Sequence, residues 1–208
     1  MERLIYGFDP LCGWCFGIVP AMRRVRADHP DLPIRMVFPG LVTGARIGPY
    51  AEMEGYIRTA SDRLRAVTGR APSAAFFEMI RTPGVMGDSG PPTAVLAAVG
   101  HSHPDRVIDL AHAMTEAHFR DGADLNRPET HAALFAALDI RRAVPPLDDT
   151  ALIAATWAEG RGEGITSFPT LILESDVRRV ILPPIYDPAA LSAGIATRRA
   201  KREVRTVR

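Results

Sequence analysis

Cysteine is scarce in this chain. There are two, Cys12 and Cys15, among 208 residues. That scarcity excludes a disulfide-stapled fold and any zinc site built from cysteines alone. The histidines, His29, His101, His103, His112, His118 and His131, place no further ligand beside the pair in sequence, so no metal is expected. Long apolar runs are missing, and with them any expected contact with a membrane. The opening residues MERLIYGFDPLC lack the apolar core of a secretion signal, so the protein is expected to be cytoplasmic. Charge of one sign is also lacking. The net charge is +1, and bulk electrostatics make no case for nucleic acid. The uneven stretch is RRAKREVRTVR at 198–208, read as a solvated, frayed terminus, with a polyanion-docking arm as the alternative.

The remainder is ordinary for a globular protein, 47% hydrophobic and 24% charged. Its length suits one domain, or one domain carrying an insertion, with a core that needs no metal or structural disulfide.

Residues 3–8, RLIYGF, read as a buried strand ended by Asp9-Pro10. Helical spacing runs from Cys15 to about Asp28, with Ile18, Met22 and Val25 along one face and Pro20 placed to kink it. Residues 34–38, IRMVF, form the next strand, stopped by Pro39-Gly40. Strand, helix, strand over so short a span is a βαβ unit with a parallel pair. From Tyr50 to Arg161 nearly everything reads as helix or interhelix loop. YAEMEGYIRTASDRLRAVTG reads as one segment, followed by SAAFFEMI, PPTAVLAAVG, RVIDLAHAMTEAHFRDG, PETHAALFAAL and LIAATWAEGRG, the last capped by Asp148 or Asp149. TLILE and VRRVIL then form a hairpin across Ser175-Asp176, and a helix over 188–200 follows, capped by Asp187. The fold class is therefore α/β: a mixed four-stranded sheet with a large helical insertion. Residues 1–45 and 163–208 form the sheet domain, and 46–162 the inserted helical domain.

Two cysteines three apart share one face of a helix. At a helix start the N–H groups lack intrahelical partners, and the helix field favours an anion. A thiolate at Cys12 is favoured there, exposed at the tip and able to attack a disulfide. Cys15, one turn deeper, would resolve the mixed disulfide. Gly13 leaves room around the sulfurs, and Trp14 shields the pair or touches substrate. A structural disulfide would close too short a loop to add much stability. The bland alternative is two buried cysteines spaced by chance. Asp9, three residues ahead of Cys12, either hydrogen-bonds within the turn or relays a proton. Downstream, GITSFPTLIL sets Pro169 directly before an apolar strand. A trans proline is the common case there. A cis proline would turn the backbone of Phe168 toward an adjacent site, where an extended peptide could pair with it. Other residues read as structural. His29 is a helix-end cap or surface residue, His101 and His103 are loop residues, and His112 and His118 are satisfied helix residues. Trp157 and Phe119 read as core, and Phe76, Phe77 and Met79 as core rather than groove lining.

FDPLCGWCFG at 8–17, FPGLVTG at 38–44, the helical stretch and GITSFPTLIL at 164–173 occur in an order that resembles a known family. It is the DsbA-like thiol–disulfide oxidoreductases of the thioredoxin superfamily, especially the FrnE-like and 2-hydroxychromene-2-carboxylate isomerase-related branch. The resemblance implies a thioredoxin-like fold, Cys12 as nucleophile, Cys15 as resolving thiol, a cis Pro169 facing the pair, and backbone contacts from Phe168. It implies no tightly bound cofactor, glutathione as a co-substrate, and protein disulfides or glutathione-like small thiols as partners. The isomerase branch typically has serine at the nucleophile position, so Cys12 favours dithiol redox chemistry. Two further readings stay open: a glutathione-dependent isomerase or transferase acting on a small aromatic compound, and a peptide-binding holdase using the cleft beside Phe168. A homodimer and the direction of redox flow also stay open.

Overall fold

The computed structural model describes residues 2–206. Its first strand, β1 (Arg3–Gly7), buries Leu4, Ile5 and Tyr6 completely. A strand apolar on both faces belongs in the middle of a covered sheet. β2 (Ile34–Val37) pairs parallel to it on one side, as the βαβ reading requires. A two-residue ribbon, β3 (Gly48–Pro49) with β4 (Met86–Gly87), lies apart from the main sheet and has no signal in the sequence. β5 (Thr170–Ser175) pairs antiparallel to β1, and β6 (Arg178–Leu182) forms the edge, giving the order β2-β1-β5-β6. The hairpin turn is Asp176-Val177 rather than Ser175-Asp176, because Ser175 still pairs with Arg178.

Between β1 and β2 runs α1 (Gly13–Asp28). Its buried surface is wider than one face and includes Phe16, Val19 and Ala21 beside Ile18, Met22 and Val25. A proline inside a helix has no N–H for the carbonyl four residues back. Here that carbonyl belongs to Phe16, and Arg70 fills the vacancy, its Nη1 donating to Phe16 O at 2.6 Å. The same guanidinium lies 3.7 Å over the Phe16 ring and donates to both Glu116 carboxylate oxygens, at 2.8 and 2.7 Å.

The helical stretch opens with a 3-10 turn, Tyr50–Met53, before α2 (Glu54–Thr68). One continuous helix was expected from Tyr50. Instead the Tyr50 N–H is held by Val85 O at 3.0 Å and its ring is buried, which keeps this turn off the helix axis. There follow α3 (Ala74–Arg81), α4 (Gly90–Ser102), α5 (Val107–Asp121), α6 (Pro128–Ala137) and α7 (Thr150–Gly162). Asp149 caps α7 by accepting from Leu152 N at 3.0 Å. α8 (Pro188–Thr206) is capped by Asp187, which accepts from Ala190 N at 2.7 Å. The expected frayed stretch from 198 is helical through Thr206, and Arg199 in it is paired with Glu2 and Asp31. Residues 207 and 208 lie outside the described residues.

One buried cluster joins Tyr6, Cys15 and Met22 to Leu96, Leu110 and Met114, so the sheet and the helical stretch share a core. A smaller cluster of Ile5, Val37, Ile165 and Ile172 covers the other sheet face, with Phe168 against it. At Gly17 a Cβ would come within 2.9 Å of Leu64 and Thr68 side-chain atoms, so α2 lies directly on α1. Among the described residues no helix is long and apolar enough to cross a membrane.

Candidate active site

β1 leads into a tight turn that Asp9 organises. Asp9 Oδ1 accepts the Leu11 N–H at 2.9 Å, and Oδ2 accepts the Leu41 N–H at 2.7 Å. Its main-chain carbonyl accepts from Cys12 N at 3.1 Å. A single carboxyl thus fastens the turn before α1 to the loop after β2. Of the two roles expected for Asp9, the geometry displays the turn role. Burial raises its pKa to about 6, opposed by the Leu41 and Leu11 N–H bonds, the Ser89 hydroxyl and the charge of Arg46.

Cys12 is the N-cap of α1, with φ −86° and ψ 113°, and its Sγ accepts the Cys15 N–H at 3.4 Å. This is the position from which a side chain receives the unpartnered N–H groups of a helix start. The Cys12 thiol donates to Phe168 O at 3.8 Å. The Phe168–Pro169 peptide is cis, as the resemblance implied. The sulfur and the downstream proline segment therefore meet, although far apart in sequence. Cys15 lies 3.5 Å from Cys12, fully buried, and both thiols are free. Burial first, and then the Cys12 sulfur, pushes the Cys15 thiol well above its usual range, so it rests protonated.

One expectation fails. Cys12 is not exposed at the helix tip; only 5% of it is accessible. Its sulfur is turned inward, toward the Cys15 amide and the Phe168 carbonyl. It is reached through a cleft of about 840 Å³ that Cys12, Gly13, Trp14 and Phe168 line together. Tyr56, Ile57, Ser61 and Leu64 from the 3-10/α2 segment contribute to the lining, as do Tyr50, Phe76 and Phe119. A Cβ at Gly13 would meet only Leu64, at an ordinary 3.5 Å, so there is spare room beside the sulfur.

Two tyrosines near the sulfurs escaped the sequence reading. The Trp14 ring packs against Tyr186, with centroids 5.5 Å apart. Burial and then both cysteine sulfurs raise the Tyr186 phenol. Tyr6 is fully buried and its hydroxyl has no hydrogen-bond partner; burial, then Cys15 and Cys12, raise its pKa well above the ordinary value. Tyr6 shares a core cluster with Leu4 and Cys15, and nothing in the sequence marked its hydroxyl as a neighbour of the dithiol.

The remaining candidates sort differently from expectation in places. His118 is satisfied, by the Tyr50 hydroxyl at 3.2 Å and Ala123 O at 2.9 Å. His112 is not: its Nε2 has no partner, because the ring is enclosed by Tyr6 and Phe8. Burial lowers its pKa to about 3 and holds it neutral. Trp157, read as core, is half-buried, and its indole N–H donates to Thr93 Oγ1 at 3.1 Å beneath Gly40. Phe76 is both core and cleft wall, whereas Phe77 and Met79 pack against the core. His29 ends α1 and bonds through Nε2 to Ser192. Among the described residues no group of three His, Cys, Asp or Glu side chains is placed to hold a metal ion.

No family model matches the chain, and no curated protein matches it by sequence. Solved structures do match. The cytosolic disulfide reductase DsbM from Pseudomonas aeruginosa is 24% identical, with a TM-score of 0.83 over 95% of this chain and 98% of that one. The same reductase with GSH is 23% identical, with a TM-score of 0.79 over 95% and 99% of the two chains. A candidate protein disulfide isomerase from Nitrosomonas europaea is 19% identical, with a TM-score of 0.73 over 97% and 98%. The chain has the DsbA-like thioredoxin fold with its helical insertion.

Proposed function

We propose that the protein is a thiol–disulfide oxidoreductase that works through a mixed disulfide on Cys12. The observation that carries this reading is the placing of Cys12 at the N-cap of α1, with Cys15 one turn below and the Phe168 carbonyl alongside. The Cys12 thiolate attacks one sulfur of a substrate disulfide RS–SR. The S–S bond breaks, RS⁻ leaves and takes up a proton, and Cys12–S–SR forms. Cys15 then loses its proton and attacks the Cys12 sulfur, releasing the second RS⁻ and leaving Cys12–S–S–Cys15. The reverse sequence oxidises a dithiol.

Burial of Cys15 keeps it a thiol until the mixed disulfide is made, so the two cysteines do not compete for substrate. The cysteine pair, cis Pro169 and the Phe168 backbone form the reacting edge. Trp14 lines the approach, and Asp9 positions the turn. The named activities of the structural neighbours, one of them in a structure with GSH, support small thiols such as glutathione as exchange partners. Cys12→Ser is expected to abolish exchange, and Cys15→Ala to accumulate a mixed disulfide with glutathione, visible by intact-mass analysis. Full exchange turnover in Cys12→Ser would refute the reading.

A further inference from the structure

We infer that the Cys12 cleft selects small disulfides whose thiol halves carry carboxylates, and that Arg46 and Arg161 are the residues that select them. This deepens the oxidoreductase reading and rests on it. The cleft lining contains two cationic side chains, Arg46 and Arg161, and no Asp or Glu. Neither guanidinium is taken up by a carboxylate of the protein. Among the described residues the Arg46 guanidinium makes no hydrogen bond or ion pair, and that of Arg161 makes one long bond, from Nη1 to Pro39 O at 3.4 Å. Many arginines elsewhere are paired, such as Arg35 with Glu159 and Glu163, and Arg70 with Glu116. Arg23, Arg63 and Arg65 have no ion pair among the described residues but do not line the cleft, so what sets Arg46 and Arg161 apart is their place in its wall.

The two cations bracket one wall. Arg161 rests on Pro39 at the start of the loop after β2. Arg46 follows the end of that loop, and Leu41, Val42 and Thr43 line the cleft between them. The rest of the lining is largely apolar; the carboxyl that feels Arg46, Asp9, is buried, held by the Leu11 and Leu41 amides, and takes no part in the lining.

Size and access favour a small molecule. Only 5% of Cys12 is accessible, and the route to it is a cleft of about 840 Å³. That volume is within the range of small-molecule pockets. A peptide-sized thiol bearing carboxylates fits this description. Guanidinium groups bind carboxylates through paired N–H donors. They would also favour the thiolate released at each of the two exchange steps written above.

The test is a single-turnover experiment on the reduced full-length protein, following the emission of its two tryptophans, Trp14 and Trp157, in a stopped-flow instrument. Glutathione disulfide, which carries carboxylates, is compared with hydroxyethyl disulfide, which is neutral. The readout is the ratio of their second-order rate constants. In the double variant Arg46→Gln/Arg161→Gln the ratio is expected to fall about tenfold, which is the scale of two exposed ion pairs. The Arg46→Lys/Arg161→Lys variant should keep most of it. Added salt should lower the ratio for the wild type and leave that of the glutamine variant unchanged. A ratio that stays the same in the glutamine variant overturns the inference and leaves the oxidoreductase reading intact. Failure of the wild type to react with either disulfide overturns both.

Discussion

Replacing Asp9 by asparagine should change how stability depends on pH, in a direction opposite to that of a typical paired carboxylate. The folded chain raises this carboxyl from 3.8 to about 6 through burial, even though two N–H donors face it. A group whose folded pKa lies above its unfolded one binds its proton more tightly when folded. Its contribution is fully present below the unfolded value and is lost as pH rises through the folded value. The window is therefore roughly pH 4 to 6. At about 1.4 kcal/mol per pH unit, the loss across it is about 3 kcal/mol. In Asp9→Asn this titration is absent.

The raw curve of either protein hides the effect. His118 and His112 are held neutral by burial, with folded values of about 4 and about 3, so they destabilise the protein as pH falls below 6.5. The difference between the two proteins isolates Asp9. Urea unfolding of both, reduced, at intervals from pH 3.5 to 7.5 gives that difference by linear extrapolation. Asp9→Asn should gain about 3 kcal/mol on the wild type between the ends of this range. A constant offset will remain, from the N–H donor that the asparagine amide leaves unpaired. Parallel curves, or a wild type that gains on the variant as pH rises, would refute the reasoning. They would mean that the Leu11 and Leu41 amides outweigh burial.

Two further substitutions probe what holds the reacting edge in place. Arg70→Met removes the donor that completes α1 at Phe16 and the partner of Glu116, and should cost about 2 kcal/mol in urea melts. Equal stability would show that water replaces the guanidinium at no cost. Gly160→Ala places a Cβ 2.7 Å from Pro39 N, a backbone atom that cannot swing away. It should destabilise the fold by about 2 kcal/mol and slow exchange by moving the loop that Asp9 holds; wild-type stability in a thermal melt would count against it.

Much of this molecule was legible in the sequence, for identifiable reasons. The β1–α1–β2 unit is short and local, so apolar runs and the Asp9-Pro10 and Pro39-Gly40 breaks were enough to place it. The last helix of the helical stretch and the C-terminal helix carry their caps on the surface of the sequence, Asp149 and Asp187. The dithiol was legible because two cysteines at that spacing sit where a strand becomes a helix. What could not be read depends on distant contacts. The 3-10 turn at Tyr50 follows from a bond to Val85, and the loss of a partner at His112 follows from Tyr6 and Phe8 closing over it. The inward turn of Cys12 depends on Phe168, a residue near the other end of the chain. The charge of the cleft was invisible for the same kind of reason. Arg46 and Arg161 look like any other arginines until the fold sets them in the wall of the Cys12 cleft.

The bond from Arg70 to the Phe16 carbonyl has a consequence for how this sequence can drift. Pro20 withholds an N–H, and a side chain from beyond α2 supplies one in its place. The two positions are then linked in evolution although 49 positions intervene between them. A lineage that replaces Pro20 with any ordinary residue restores the helix bond and releases Arg70 from that duty. A lineage that keeps Pro20 and loses Arg70 leaves an orphaned carbonyl one residue beyond Cys15. Homologues should therefore show proline at this place mainly where a long cationic side chain stands at the other, and an alignment deep enough to count such pairs would display the linkage.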